Sequence, residues 1–189
     1  MQTLIINGSL NKNGNTVALI NEFKKSLKGE IIELSAYYDG IFPCFNCPQC
    51  SLTGFCKIKD KMNLVHEDAY DNIVIASPVY DLFFPGPLVN VLNRFQVYYV
   101  RERFLNICND FNLKKSGLIL VGGGDGTPRD SIGLVKWKLK LINAPLVDEN
   151  IVTSLNTDEI LAVQDEIAVD NVRKLALRLN NQEFVVWKK

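Results

Sequence analysis

The stretch Leu4-Ile5-Ile6-Asn7-Gly8-Ser9-Leu10-Asn11-Lys12-Asn13-Gly14-Asn15-Thr16 decides the fold class of this 189-residue chain. It begins as a short apolar run and continues as a polar loop rich in Asn and Gly. Apolar residues at helical spacing follow it, namely Val17, Ile20, Phe23 and Leu27, and then comes Gly29. The pattern predicts a β-strand, a loop and an α-helix that ends at the glycine.

The same alternation of strand and helix patterns continues along the chain. Apolar runs predict strands at residues 31–34, 73–76, 118–121 and 151–152, and helical spacing predicts helices at about 60–69, from Gly86 through Phe95, at 131–142 and from Thr157 or Asp158 to about Leu179. Continuous apolar strands joined by helices are typical of a parallel sheet with helices on both faces. We therefore predict an α/β three-layer sandwich with a five-stranded doubly wound sheet. Residues 1–189 are expected to form one domain, with a cysteine-rich insertion at about 36–60.

The composition argues against two classes of partner. The chain has 21 basic and 21 acidic residues, so it lacks the positive charge that nucleic-acid binding and anionic membranes favour. Its apolar runs stay below the roughly 18 residues that a membrane-spanning helix needs. The first residues carry no basic region and only a short apolar run, so we expect no signal peptide and a cytoplasmic location.

Three loops are predicted to meet at the carboxyl edge of the sheet, where doubly wound folds bind their ligands. The first loop, residues 8–16, leads into a helix whose N-terminal N–H groups suit a phosphate, although an ordinary turn with an N-cap would have the same residues. The second, residues 77–87, is Ser-Pro-Val-Tyr-Asp-Leu-Phe-Phe-Pro-Gly-Pro and offers apolar walls for a flat ring, or else fills core. The third, Gly122-Gly123-Gly124-Asp125-Gly126, lets the backbone approach a ligand closely, or forms a flexible turn.

Four cysteines fall within thirteen residues, at Cys44, Cys47, Cys50 and Cys56. In a reducing compartment such a group favours metal binding or redox chemistry over disulfides. The C-x2-C-x2-C run suits three corners of a [4Fe–4S] cluster, with Cys56 as the fourth ligand. Zinc and free thiols remain the alternatives. Cys108 stands apart on an apolar stretch and is expected to pack in the interior.

The first loop and the Ser-Pro-Val-Tyr of the second resemble the NADPH-dependent FMN reductase family of the flavodoxin-like fold, and the four cysteines resemble its iron–sulfur flavoprotein branch. The resemblance implies an FMN cofactor, with its phosphate held by Ser9, Asn11, Gly14, Asn15 and Thr16. It also implies that Pro78, Val79 and Tyr80 lie beside the isoalloxazine and that Gly123 and Gly124 contact its pyrimidine side. Asn11 departs from the arginine that many members have, and Leu82-Phe83-Phe84 is bulkier than the usual residues there.

Three functions are compatible with these features. The first is an iron–sulfur flavoprotein that passes electrons between a [4Fe–4S] cluster and FMN, with a ferredoxin-type donor and a small acceptor such as oxygen, peroxide or a quinone, both implied by the resemblance. The second is a flavin-only reductase that takes electrons from NAD(P)H and reduces free flavin, quinones or nitro compounds. The third is a zinc-binding module without flavin.

Other residues are assigned no chemistry. His66, the only histidine, is expected to have no catalytic role, and Asp81 and Asp125 are common turn residues that could orient a substrate. The aromatic residues Phe95, Tyr98 and Tyr99 are expected in the core or in a subunit interface. The apolar tail at 183–187, which ends in Trp187, fits the homodimer or homotetramer that the resemblance implies.

Overall fold

Five strands form the centre of the fold, and their bounds follow the apolar runs of the sequence. In the computed structural model, which describes residues 1–124 and 128–181, they are β1 (Gln2–Asn7), β2 (Glu30–Ser35), β3 (Asn72–Pro78), β4 (Lys115–Val121) and β5 (Ile151–Ser154). They pair in parallel in the order β2-β1-β3-β4-β5. This is the strand order of the flavodoxin-like fold, and it confirms the predicted doubly wound sheet.

Seven helices connect or flank the strands in the described part of the chain. They are α1 (Asn15–Ser26), α2 (Gln49–Thr53), α3 (Asn63–His66), α4 (Gly86–Asn93), α5 (Gln96–Phe104), α6 (Arg129–Lys140) and α7 (Glu166–Asn180). Among these described helices, none is long and apolar enough to cross a membrane.

The helices form two layers because successive strand residues point to opposite faces of the sheet. On one face, Leu4, Ile73 and Leu118 pack with α4, α5 and α6. On the other, Ile5 and Val74 pack with α1 and α7. Burial on both faces explains why the strands read as continuous apolar runs, and it gives the predicted three-layer sandwich.

The last helix begins later than the sequence pattern suggests. It starts at Glu166 rather than near Thr157 or Asp158, and Asp165 caps it by accepting a hydrogen bond from the N–H of Ala168. Residues 155–165 instead form a loop in which Ile160, Leu161 and Val163 are exposed. Their helical spacing therefore does not reflect a buried helix face.

Three smaller expectations are also corrected. The long helix from Gly86 is divided into α4 and α5 at Arg94 and Phe95. The helix expected from Asp60 to about residue 69 is only the four-residue α3, which begins at Asn63. Cys108 is exposed rather than packed, because the segment that carries it lies outside any helix or strand.

Candidate active site at the strand ends

The first loop starts directly against the second. The N–H of Gly8 donates to the carbonyl of Ala76 at 2.8 Å. A Cβ at Gly8 would lie 2.8 Å from Leu88 Cδ2 and 3.0 Å from Ser77 Oγ. A side chain at residue 8 would force Leu88 or Ser77 to move, so Gly8 helps the two loops to meet closely.

The N-terminus of α1 is left open by its cap residue. Gly14 occupies the N-cap position, so no side chain caps α1 in the described structure, and the first turn contains no acidic residue. The loop is shaped by its own bonds: Ser9 Oγ donates to the carbonyl of Asn11, and Asn11 Oδ1 accepts from the N–H of Asn13. The first N–H groups of a helix lack intrahelical partners and carry partial positive charge, so this end is suited to an anion.

Asn15 and Thr16, the first residues of α1, have different surroundings. Asn15 Oδ1 accepts a hydrogen bond from the N–H of Ala162, so this side chain joins the first loop to the loop after β5. Thr16 is buried. The donor capacity of the Asn15 amide is not used by that bond.

Lys12, within the first loop, carries a positive charge, which Asn11 lacks. The ammonium of Lys12 lies 4.1 Å from the centre of the Tyr38 ring. The Tyr38 hydroxyl in turn donates to the carbonyl of Leu10 at 2.6 Å. Position 12 therefore gives the first loop a cation, which lies over the Tyr38 ring.

The second loop is a tight hairpin at the end of β3. Pro78 pairs with Val121 in the sheet, and the Val79 N–H donates to the carbonyl of that same residue at 2.7 Å. Tyr80 and Phe83 then exchange two backbone hydrogen bonds across a two-residue turn. Exposed apolar side chains surround this turn: Tyr80, Leu82 and Phe83.

The third loop shares a cavity with the second. A cavity of about 360 Å³ is lined by Val79, Asp81, Leu82, Gly122, Gly123, Gly124 and Leu155. Such a lining, with apolar walls and bare backbone, is typical of small-molecule sites. The first loop does not line the cavity but adjoins the second loop through Gly8. Asp125 and Gly126 lie outside the described residues.

Residues 155–165 form a fourth loop that the sequence analysis assigned to a helix. Thr157 donates to the carbonyl of Gly122 through both its N–H and its hydroxyl, each at 3.0 Å. A Cβ at Gly123 would lie 2.3 Å from Asp158 Oδ1, so a glycine there admits the fourth loop. The sequence contains a signal for the later start of the last helix: Asp165, eight residues after Thr157, is of a type that commonly caps helix N-termini.

The cysteine segment, residues 36–60, does not gather its thiols as a metal site would. Cys44 is exposed, while Cys47, Cys50 and Cys56 are half-buried, and all four are unbridged. Within residues 1–124 and 128–181, no three His, Cys, Asp or Glu side chains converge as ligands of one ion. Burial, followed by the nearby thiols, raises the pKa of Cys50. The arrangement therefore does not fit the predicted [4Fe–4S] cluster.

A buried ion pair holds the two ends of the cysteine segment. Arg94, between α4 and α5, donates from its Nη1 to Asp60 at 2.7 Å and to the carbonyl of Phe42 at 2.9 Å. The N–H of Phe42 donates to the same carboxylate. Burial alone would raise the pKa of Asp60, and these hydrogen bonds instead hold it below its usual range.

Of the remaining candidates, only Asp81 borders the cavity at the strand ends among the described residues. His66 is bonded through Nδ1 to the Tyr98 hydroxyl at 2.5 Å, and burial lowers the pKa of His66 to about 4. Phe95 and Tyr98 are buried in the core, and Tyr99 packs against Trp137 near the surface. Asp81 lines the cavity. The tail at 183–187 lies outside the described residues.

The sheet order defines a flavodoxin-like α/β protein, with an uncapped helix end and a glycine-lined cavity among the loops at the strand ends. The sequence of residues 1–154 matches the NADPH-dependent FMN reductase family. The chain belongs to this family and is an FMN-dependent oxidoreductase.

Solved structures share the fold at low sequence identity. An FMN-dependent NADH-azoreductase from Bacillus anthracis in complex with FMN is 17% identical, with a TM-score of 0.62 over 96% of this chain and 100% of that chain. An NAD(P)H:quinone oxidoreductase from Methanothermobacter marburgensis is 13% identical, with a TM-score of 0.68 over 97% of this chain and 98% of that chain. Among proteins with curated functions, none matches this chain by sequence.

Proposed function

We propose that this chain binds FMN across the first three loops, takes electrons from NAD(P)H and reduces a small-molecule acceptor such as a quinone, a nitro compound or free flavin. The observation that carries the proposal is the uncapped N-terminus of α1, in a loop that adjoins the second loop at Gly8, together with the cavity lined by the second and third loops. Bound FMN would supply the redox chemistry, since its ring accepts a hydride and releases electrons singly or in pairs. The residues of the chain then have to bind and orient it.

The phosphate of FMN is assigned to the first loop. Gly14 keeps the helix end open, and the N–H groups of Asn15 and Thr16 face no intrahelical acceptor. Ser9, Asn11 and the free donors of the Asn15 amide contribute side-chain contacts. Lys12 would balance part of the phosphate charge in place of the arginine that Asn11 replaces.

The ring is assigned to the second and third loops. Pro78, Val79 and Tyr80 would form one wall, with the exposed Tyr80 ring available to cover the flavin. Gly123 and Gly124 would pass close to its polar edge, because their backbone carries no side chain to block the approach. A cavity with so few charged groups suits an enzyme whose cofactor performs the chemistry.

NAD(P)H is proposed as the donor rather than a ferredoxin-type protein. The family is named for its dependence on NADPH. The two similar solved structures above are of enzymes named for NADH and NAD(P)H. The thiol arrangement favours the flavin-only reductase, so the [4Fe–4S] cluster on Cys44, Cys47, Cys50 and Cys56 stays a prediction of the sequence alone. Four unbridged thiols also suit the reducing cytoplasm that the sequence predicts.

A homodimer or homotetramer remains part of the proposal. Exposed apolar side chains on the cysteine segment support it: Tyr38, Phe42, Phe45, Leu52 and Phe55. Apolar surface of this kind is more common in interfaces than on monomers. Sedimentation equilibrium on the FMN-loaded protein measures the assembly directly, and a monomer at micromolar concentration would contradict this part.

The decisive test places a carboxylate at the open helix end. Gly14→Asp can cap α1 through its own side chain, while its negative charge repels the FMN phosphate. Its Cβ would lie 3.1 Å from Asn11 Cβ, so Asn11 has to shift slightly, and the control variant below shares that shift. We expect the Kd for FMN, measured by quenching of flavin fluorescence, to rise at least ~100-fold, which corresponds to about 2.7 kcal/mol.

Gly14→Asn is the matched control, since it has the same shape without the charge. It should weaken FMN much less than the aspartate does. Equal effects of the two variants on the Kd for FMN, or no effect of either, would show that the FMN phosphate does not bind in this loop.

Purified protein should contain FMN without stoichiometric iron or sulfide, and NADPH or NADH should reduce its flavin anaerobically. About four irons per chain together with reduction by a ferredoxin would instead favour the iron–sulfur flavoprotein. A protein that binds no FMN would refute both.

A further inference from the structure

A second cavity, of about 190 Å³, lies between the cysteine segment, α3 and α5. Its polar lining includes Lys59, Asn63, His66 and Arg101. None of the residues that line it also lines the cavity at the strand ends. It is therefore a separate pocket that the proposed redox function does not use.

Two buried nitrogen atoms in this pocket lack protein partners. Arg101 Nε and His66 Nε2 are both inaccessible to solvent, and neither makes a hydrogen bond to any described residue. The remaining bond of the guanidinium is weak, since Arg101 Nη2 lies 3.5 Å from the carbonyl of Cys108. Buried polar groups are nearly always paired, so these two nitrogen atoms call for a partner, which a bound ligand or an ordered water can supply.

The bond to Tyr98 assigns the ring proton of His66, which lines the pocket, to its other nitrogen. Its Nδ1 lies 2.5 Å from the Tyr98 hydroxyl, which has no other partner in the described residues. Donation from the hydroxyl to Nδ1 is the assignment that gives the hydroxyl proton an acceptor. Because a neutral imidazole carries one proton, that proton is on Nε2.

The guanidinium of Arg101 is held in place from two sides. It lies 5.5 Å from the centre of the Phe55 ring. A Cβ at Gly54 would be 3.4 Å from Arg101 Cγ, so the aliphatic part of the arginine packs against that glycine. A fixed guanidinium loses little entropy when it binds an anion.

The charge in the pocket is positive. Lys59 and Arg101 are both cations, and within the described residues no carboxylate lines the pocket. Asp60, next to Lys59 in the chain, is turned to Arg94 with both of its oxygens. Lys59 is exposed, so the pocket is reached from solvent on that side.

We propose that this pocket binds a phosphate group, either as free phosphate or as the phosphate end of a larger monoester. The donors come from three elements, namely Lys59 on the cysteine segment, Asn63 and His66 on α3, and Arg101 on α5. Donors from several directions match a tetrahedral oxyanion better than a planar carboxylate. The site is independent of FMN, whose phosphate is assigned to the first loop.

The test is isothermal titration of FMN-saturated protein with inorganic phosphate at constant ionic strength. We expect saturable binding of one phosphate per chain. Arg101→Gln and Lys59→Gln should each weaken it at least ~10-fold. Arg103→Gln, a neighbouring exposed arginine outside this pocket, should stay within about twofold of wild type.

Further titrations separate the possible ligands. Ribose 5-phosphate that binds more tightly than inorganic phosphate identifies a monoester, and weaker binding identifies the free ion. Acetate or chloride that binds as well as phosphate would overturn the proposal, as would an unchanged affinity in both variants. If Arg101→Gln does not fold, the exposed Lys59→Gln variant decides alone.

Discussion

Leu82 has a backbone conformation that residues with a Cβ seldom adopt. Its φ is +64°, and that of the preceding Asp81 is +50°. Two consecutive residues with positive φ form the kind of two-residue hairpin turn that usually contains Asn-Gly. Ser131 Oγ donates to the carbonyl of Leu82 at 2.9 Å and helps to hold the turn. Strain of this kind is found most often beside ligand sites, and here it borders the cavity at the strand ends.

Replacing Leu82 by Asn should stabilise the protein without FMN. Asn tolerates the left-handed region, and Leu82 is 54% exposed, so little buried surface is lost. We expect the free energy of unfolding in urea to rise by about 1 kcal/mol. Leu161→Asn is the control, since Leu161 is 53% exposed and has no positive φ. An equal gain in both variants would show that polarity rather than strain is responsible.

His66 should make the stability of the protein depend on pH. Burial lowers the pKa of His66 to about 4 from 6.5, so this stability is present above pH 6.5 and is lost as the pH falls toward 4. Between pH 7 and pH 5, wild type should lose about 2 kcal/mol more than His66→Asn, which cannot take up the proton. The two free energies of unfolding are compared at each pH. Parallel pH profiles would refute a buried neutral imidazole.

The sequence identifies residues whose type is unusual for their position. It does not reveal the backbone conformation of a residue or its contacts with distant segments. Gly14 could be predicted because a glycine before a helix leaves its N-terminus open. The positive φ of Leu82 could not, because leucine is the wrong residue for that turn. The orphan nitrogen of His66 depends on contacts between distant segments, which no local pattern contains.

At the scale of elements, the cysteine segment is anchored rather than loose. Arg94 and Asp60 are both almost fully buried, with their side chains 1% and 4% exposed. The segment also packs on α5 through Gly54 and Phe55. Order in so irregular a segment therefore depends on one ion pair and a few packing contacts.

Removing one member of this ion pair should be costly. Arg94→Met leaves the Asp60 carboxylate buried without its partner, which typically costs about 3–5 kcal/mol. Urea unfolding should show this loss, and the thiols at 44–56 should react faster with a thiol reagent. Arg103→Met, an exposed arginine of α5, should change neither measurement. Unchanged thiol reactivity in Arg94→Met would mean that other contacts order the segment.

Helices and strands could be predicted where burial of one or both faces imposes a regular spacing of apolar residues. The strands and α1 were found because their apolar residues face the two cores. The start of the last helix was predicted too early, because Ile160, Leu161 and Val163 have helical spacing although they lie on an exposed loop. The break between α4 and α5 was missed because Arg94 reads as a surface residue, although it is buried by its bonds to the cysteine segment.

At the scale of the molecule, the fourth loop links the regions assigned to the two ends of FMN. Asn15 bonds to Ala162, and Thr157 bonds to Gly122, so residues 155–165 bridge the first and third loops. A ligand that contacts both loops would therefore tie α1, the sheet and the approach to α7 together.

FMN should therefore stabilise the whole fold. With free FMN at 100 times its Kd, the free energy of unfolding should rise by about 2.7 kcal/mol. Thermal unfolding followed by circular dichroism at several FMN concentrations measures the effect. The gain should largely disappear in Gly14→Asp at the same concentration. A melting temperature that is independent of FMN in wild type would contradict the assignment.

Phe42 and Asp60, which flank the four cysteines, lie close together, and this affects how the segment between them can vary. Phe42 and Asp60 lie side by side, with the N–H of one bonded to the carboxylate of the other at 3.0 Å. Residues 44–57 thus leave and rejoin the domain at nearly one point, as in a compact surface loop. An insertion of this shape can be exchanged during evolution, or by protein engineering, as a unit. A chain with a short Gly-Ser turn in its place would keep the sheet and the loops at the strand ends, and would lose the contacts of Gly54 and Phe55 with α5.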